Sequence, residues 1–249
     1  MAGIIGKLAG PLARGALLCA FLSGCVVPAT YTLPADDGAP AVVQATRPAA
    51  LPDTAGFATI VARVEPVAES YCRQMRRVSN CDFRIVIDDR PGQPPNALQT
   101  LDSAGRPILA FTTALLADAR NADELAFVLG HEAAHHIAGH IPQSRQNAMA
   151  GALLAGIMAS AAGASQADLD AAERMGAAVA ARAYSKDFEL EADALGAEIA
   201  WRSGFDPLRG AAFFDRLPDP GDRFLGSHPA NSQRKAVVAQ TMARLKAGG

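Results

Sequence analysis

The sequence has little that would bind nucleic acid. Lysine and arginine together number 23 against 25 aspartates and glutamates, so there is no excess of positive charge to neutralise phosphates. One tryptophan and three tyrosines offer few rings on which bases could stack. We therefore expect no nucleic-acid partner.

Internal repeats and heptad arrays are missing as well. Their absence excludes solenoids and coiled coils. What remains is a chain of 249 residues, 50% apolar and with a formal net charge of −2. These values are typical of one globular domain with tails.

The N-terminus has the pattern of a targeting segment. A positive n-region precedes the apolar run 16–22, which is too short to cross a bilayer but suits a signal-peptide core. Leu22-Ser23-Gly24-Cys25 then resembles the bacterial lipoprotein signal, in which the cysteine becomes the lipidated first residue. The alternative is an ordinary secretory signal with a coincidental cysteine. We predict a lipoprotein signal peptide at 1–24 and lipidation of Cys25.

Lipidation at Cys25 implies a bacterial periplasmic protein held at a membrane, because several acyl chains together make a stable anchor. Val26 follows where retention in the inner membrane typically uses aspartate, which favours the outer membrane. Residues 25–55 are rich in Pro, Ala and Thr, and we predict a flexible tether there, ahead of a folded domain at 56–249.

Two of the four cysteines have no assignment so far. Cys19 lies in the predicted signal and Cys25 is assigned to lipid, which leaves Cys72 and Cys81. An even pair in an oxidising compartment predicts a disulfide. Two buried free thiols are the alternative.

Helical patterns dominate the predicted domain. They predict helices at about 56–77, 113–119, from Asn121 onwards, 166–184, 187–203, 206–217 and 229–246. Pro66 either weakens or splits the first helix. Alternating, β-rich segments predict strands at 83–87 and 107–112. The fold class is therefore α+β and mainly helical, with a small sheet.

Residues 148–164 consist almost wholly of Ala, Gly, Leu, Ile and Met. The segment is short for a membrane span, and its small residues allow helices to pack closely. Two interpretations stay open. One is a buried helical hairpin, and the other is a segment that dips into a membrane or acts as a lid.

The most informative segment is His131-Glu132-Ala133-Ala134-His135. On a helix, residues four apart share one face, so both imidazoles can bind one metal ion. Glu132 between them can act as general base on water activated by the metal. His136 is turned about 100° and His140 about 180° from this face, so neither is predicted to bind metal.

A third ligand is expected on the acidic helix that follows. Glu189 and Asp193 lie four residues apart, so one can bind metal while the other supports a ligating histidine. The alternative is a merely exposed acidic face. Glu191 points the other way, and we expect it to be solvated.

Together these segments resemble the zinc peptidases of the HtpX, BepA and CAAX prenyl protease family. The segments that carry the resemblance are the His131–His135 motif, Tyr184-Ser185 with Glu189 and Asp193, Ser227-His228-Pro229 with Arg234, and Asn96-Ala97. They run from about Cys81 to Arg234 and so cover most of the predicted domain.

The resemblance implies a zincin-like metallopeptidase domain with the small sheet beside the active helix. It implies one zinc ion per chain, bound by His131, His135 and Glu189. Glu132 would be the general base, and Asp193 would support a ligand.

The resemblance also implies roles for residues across the cleft. His228 would either stabilise the oxyanion or act as a reversible fourth ligand that silences the resting enzyme. Arg234 would orient that segment or contact substrate. Asn96 and Ala97 would line the substrate cleft, although the chain departs from the family pattern directly after them.

The implied function is a zinc endopeptidase that acts on unfolded or misfolded envelope proteins. The alternative is a catalytically silent lipoprotein scaffold or chaperone on the same fold, with residues 148–164 as its client surface. A zinc hydrolase of another kind, such as a deformylase, would lack the Glu189/Asp193 helix and the His228…Arg234 segment.

Overall fold

The computed structural model describes residues 56–183, 185–219 and 228–247. The predicted signal peptide, lipidated Cys25 and tether lie outside the described residues, as do Tyr184 and Ser227.

Eight α-helices and three strands make up this part of the chain. In order they are α1 Phe57–Met75, β1 Arg84–Asp88, β2 Ala97–Leu101, β3 Pro107–Thr112, α2 Thr113–Asp118, α3 Ala122–Ile137, α4 His140–Ala161, α5 Gln166–Ala183, α6 Ser185–Arg202, α7 Pro207–Gly210 and α8 Asn231–Ala247. A 3₁₀ turn at Ala211–Arg216 follows α7. The expected class, mainly helical with a small sheet, is confirmed.

The sheet has the strand order β1-β3-β2. β3 pairs in parallel with β1 and antiparallel with β2, and all six of its residues are buried. A central strand covered on both faces requires a continuous apolar run, and Ile108-Leu109-Ala110-Phe111 supplies it. β2 is left as an edge strand.

α3 lies at the centre of the domain, against α1, α6 and the sheet. The side chain of Asn121 accepts hydrogen bonds from the backbone N–H groups of Asp123 and Glu124 and so caps the helix. Glu124 accepts two hydrogen bonds from Arg216, at 2.9 and 2.8 Å. The helix start is therefore held both locally and by the 3₁₀ turn.

A disulfide joins Cys72 and Cys81, so the two residues are not free thiols in the structure. Cys72 lies in the last turn of α1, and Cys81 precedes β1. The bridge holds the connection between the first helix and the sheet.

Several element boundaries differ from the sequence prediction. α1 continues through Pro66 without a break. The stretch 206–217, predicted as one helix, is a four-residue helix followed by a 3₁₀ turn. β2 has no counterpart in the prediction, because Ala97-Leu98-Gln99-Thr100-Leu101 becomes a strand only by pairing with β3.

Of the two interpretations of residues 148–164, the buried hairpin is correct about the hairpin and wrong about its burial. A hairpin does form, from α4 and α5, and its helices meet closely at Gly151 and Gly176. It is not buried. Large apolar side chains lie exposed on it: Met149, Leu153, Leu154, Ile157, Met158, Met175 and Val179.

Among residues 56–183, 185–219 and 228–247, no helix is both long and apolar enough to cross a bilayer.

Candidate metal centre

The position of the site is set by the close approach of α3 to α6. A Cβ at Gly130 would lie 2.7 Å from the backbone oxygen of Gly196, and one at Gly196 would lie 2.7 Å from the backbone nitrogen of His131. Only glycines allow the two backbones this close. As a result, His131 lies directly against the helix that carries Glu189 and Asp193.

The three predicted ligands converge. Nε2 of His131 and Nε2 of His135 lie 3.1 Å apart, and each faces a carboxylate oxygen of Glu189, at 3.6 and 3.4 Å. These ligand atoms all lie within 4.8 Å of one another. Two imidazole nitrogens and one carboxylate oxygen are the donor set of a catalytic zinc site, which leaves a position for water.

The electrostatics of the cluster suit a cation. Burial raises the pKa of Glu189, but hydrogen bonds from His135 and His228 outweigh burial and hold this pKa well below its usual range. Burial lowers the pKa of His135, but the hydrogen bond to Glu189 and the negative charge of Glu132 raise it above its usual value overall. Glu189 is therefore ionised, and at least one carboxylate lies beside each ring.

Asp193 lies behind His131. Its Oδ1 is 3.0 Å from His131 Nδ1, and the side chain is 0% exposed. Arg234 donates to both Asp193 oxygens at 2.7 Å each, from Nε and Nη2. Burial raises the pKa of Asp193, but hydrogen bonds from His131 and Arg234 lower it overall, so the carboxylate stays ionised.

Arg234 is a link between two acids. Its Nη2 also lies 3.3 Å from Glu189 Oε2, and its guanidinium stacks on Phe214, 4.1 Å from the ring centroid. The side chain is 8% exposed. It therefore holds Glu189 and Asp193 together.

Two residues for which the sequence predicts no role in the metal site, His140 and Glu191, lie next to it. His140 Nδ1 lies 2.8 Å from His135 Nδ1. Glu191, predicted to be solvated, lies 3.3 Å from His140 Nε2 and accepts a hydrogen bond from Arg77 at 2.7 Å. No pattern on one continuous helix could have found this chain of contacts, because α3 ends before His140.

His136 lies apart from the ligands, as the sequence predicts. Its Nε2 is 2.7 Å from the backbone oxygen of Asn80, and its ring meets Phe83 edge-on. Burial lowers its pKa, so the ring is neutral at pH 7. It is a structural histidine of the core.

A cleft of about 660 Å³ opens onto the three ligands. Glu132, one residue after His131, lines it and is buried. Apolar side chains form much of the remaining wall: Leu98, Leu115, Phe127, Val128, Phe213, Phe214 and Leu217. The cleft can hold side chains of a polypeptide next to the metal ligands.

One rim of the cleft is the edge strand β2. Pro95, Asn96 and Ala97 line the cleft. The backbone N–H of Asn96 donates to the hydroxyl of Thr112 at 2.9 Å, and its carbonyl accepts from the backbone of Thr112 at 3.0 Å. The predicted cleft segment is thereby fixed to β3 and lies beside the ligands.

His228 lies on the other side. Its Nδ1 is 3.2 Å from Glu189 Oε2, while 54% of its side chain is exposed. It is thus the one ionisable group of the described cleft that both reaches the cluster and is mostly open to solvent.

Residues 59–241 match the model of peptidase family M48. The chain belongs to this family. The resemblance inferred from the motifs is thereby confirmed, and the family implies a metalloprotease. No curated protein matches the chain significantly.

Proposed function

We propose that this protein is a zinc-dependent endopeptidase that hydrolyses peptide bonds in unfolded or misfolded proteins of the bacterial envelope. One observation carries the proposal. His131, His135 and Glu189 converge within 4.8 Å at a cleft that Glu132 also lines. Such a cleft brings ligands and general base to one peptide bond.

The donor set fits zinc. Neutral imidazoles and an ionised carboxylate are ligands that Zn²⁺ accepts, and the outer nitrogen of His131 is held by Asp193, as in most zinc sites. Bound there, zinc would polarise the scissile carbonyl and lower the pKa of water.

The remaining chemistry belongs to the side chains of the cleft. Glu132 accepts a proton from the attacking water and returns it to the leaving amine. His228, on the opposite side, donates a hydrogen bond to the oxyanion that develops. Arg234 holds Glu189 and Asp193 in place and does not exchange a proton.

The cleft selects the substrate by shape. An extended peptide can add to the free edge of β2 through backbone hydrogen bonds, which places one peptide bond over the ligands. A folded protein does not offer such a segment. Unfolded or flexible polypeptides are therefore the substrate class.

The decisive experiment measures bound metal and the cleavage of an unfolded protein by wild type and by Glu132→Gln. The variant keeps the size of the side chain but not its basicity, so we expect unchanged zinc content and a loss of rate of about 10²-fold or more. Cleavage at the wild-type rate, or wild type that binds no zinc, would refute the proposal. Equal cleavage of one protein folded and unfolded would refute the substrate class.

We further propose that the enzyme is anchored at the outer membrane through a lipid on Cys25. The support is the Leu22-Ser23-Gly24-Cys25 pattern and Val26. Palmitate labelling of wild type and Cys25→Ala tests it, and membrane fractionation assigns the membrane. Equal labelling of the two proteins would contradict the anchor.

A second candidate function is a scaffold or chaperone that binds clients without cleaving them. The exposed apolar side chains of the α4–α5 hairpin favour it, because such a surface can hold apolar segments of other proteins. Expressing Glu132→Gln in a strain that lacks the gene distinguishes the two functions. Full restoration of the envelope phenotype by this variant supports the scaffold, and failure supports the peptidase.

A further inference from the structure

The two ring nitrogens of His135 face different partners. Nε2 faces His131 and Glu189, where the metal would bind. Nδ1 lies 2.8 Å from Nδ1 of His140. The orientation of this ligand therefore depends on a second histidine.

The other ligand, His131, is held differently. Its outer nitrogen faces the carboxylate of Asp193 at 3.0 Å. Ligating histidines usually give their second N–H to a carboxylate, a backbone carbonyl or water. At His135 an imidazole takes that place.

His140 is itself held on three sides. Only 4% of the residue is exposed, and its ring stacks on Phe188 with centroids 4.4 Å apart and planes at 15°. Its Nε2 lies 3.3 Å from Glu191, which Arg77 holds in turn at 2.7 Å. Because the ring of His140 is held in this way, it can in turn hold the orientation of the His135 ring.

We propose that His140 is the positioning residue of the metal centre: it accepts the Nδ1–H of His135 and thereby directs Nε2 of His135 to the metal. The tautomers of the two histidines determine which Nδ1 donates this hydrogen bond and which accepts it. A neutral His135 that offers Nε2 as a ligand carries its hydrogen on Nδ1, so His140 Nδ1 must accept. The hydrogen of His140 is then on Nε2 and is donated to Glu191.

The inference rests on the proposed zinc site and predicts a cost in metal affinity. Partners of this kind change metal affinity by about 10–100-fold when they are removed. We expect His140→Ala to weaken zinc binding by about this factor in a competition titration with a chromophoric chelator. His140→Gln, whose amide oxygen can accept from Nδ1, should recover part of the loss.

His136→Gln is the matched control. His136 is equally a buried histidine close to the motif, but its contacts are with Asn80 and Phe83 and not with a ligand. We expect this variant to lower the melting temperature of the metal-free protein and leave zinc affinity unchanged. An equal loss of affinity in the His136 and His140 variants would overturn the proposal.

A measurement on the wild-type protein does not depend on any variant folding. Long-range ¹H–¹⁵N correlation spectra of the zinc-loaded protein report the tautomer of each histidine. We expect the hydrogen of His135 on Nδ1 and that of His140 on Nε2. A hydrogen on Nδ1 of His140 would overturn the proposal, as would wild-type affinity in folded His140→Ala. Wild type that binds no zinc would instead refute the proposed function.

Discussion

Two pairs of helices in this domain approach each other through glycines, with opposite results. α3 and α6 meet at Gly130 and Gly196, and α4 and α5 meet at Gly151 and Gly176, where a Cβ on either glycine would clash with the backbone oxygen of the other. The first pair buries polar side chains, and the second exposes apolar ones. Glycine spacing thus sets how close two helices come but not what they bury.

The difference arises from what surrounds each pair. The α3–α6 crossing is enclosed by α1, α8 and the sheet, so Asp193 is 0% exposed. α4 and α5 pack mainly on each other, and Met149 and Leu153 on the outer face are 73% and 66% exposed. Buried charge in one pair and exposed apolar surface in the other are both costly arrangements, and each is the kind that function retains.

The largest effect is expected at the buried ion pair that joins Asp193, on α6 of the first helix pair, to Arg234 on α8. Asp193→Ala leaves Arg234 buried without its carboxylate, and we expect a loss of about 3–5 kcal/mol in the free energy of unfolding. Chemical denaturation of the metal-free protein measures it. The exposed pair of Lys235 and Asp215 provides the control, since Asp215→Ala should cost less than about 1 kcal/mol.

Adding a methyl group at each glycine crossing compares the two pairs directly. Gly130→Ala and Gly151→Ala both force a Cβ against backbone, at a cost of about 1–3 kcal/mol each. Only Gly130→Ala separates the helices that carry the ligands, so we expect zinc affinity to fall in that variant alone. Weaker zinc binding by Gly151→Ala would show that the hairpin and the site are coupled.

Low pH should destabilise the α3–α6 pair and have little effect on the α4–α5 pair. The pKa values of Glu189 and Asp193 lie below their usual range, chiefly because hydrogen bonds to histidine and arginine outweigh burial. Their stabilisation is therefore complete above the ordinary carboxyl pKa of about 4 and is lost as pH falls below it. We expect the metal-free protein to lose stability from about pH 4 downwards. Hydrogen exchange followed by mass spectrometry at neutral and at acid pH should show a larger loss of protection in α6 than in α5, and an equal or larger loss in α5 would contradict this.

The smallest effect is expected on the outer face of the hairpin. Leu153→Gln exchanges one good helix former for another on an exposed surface, so its stability should change by no more than about 0.5 kcal/mol. The same substitution at Leu129, which is buried in α3, should cost more than about 2 kcal/mol. Thermal unfolding of the two variants compares them. A large loss at Leu153 would mean that the outer face is covered in solution.

Local patterns were sufficient to predict which side chains converge at the cleft. The i, i+4 spacing of the two histidines and of Glu189 with Asp193 places each pair on one helical face wherever the helix lies. The N-cap at Asn121 and the buried strand β3 follow from equally short patterns, and both are present in the structure. Such features depend on a few consecutive residues.

Neither the strand β2 nor the exposure of the α4–α5 hairpin could be predicted from short local patterns. β2 is a strand because β3 lies beside it, and the apolar residues of α4 are exposed because no other described element covers them. Apolar composition reports that a surface prefers burial, but it does not report whether a partner is present. Both features depend on neighbours distant in sequence.

The sequence by itself determined the metal motif, its acidic helix and the family to which the motifs point. The tertiary structure decided which groups hold the ligands. Gly139, at φ 75°, ends α3 and lets α4 begin at His140, so the angle of 180° expected from one continuous helix no longer applies. The turn brings His140 back to His135, and the packing of α6 brings Glu191 to His140. Helical spacing is a local property of the backbone, whereas these contacts exist only after the chain has turned.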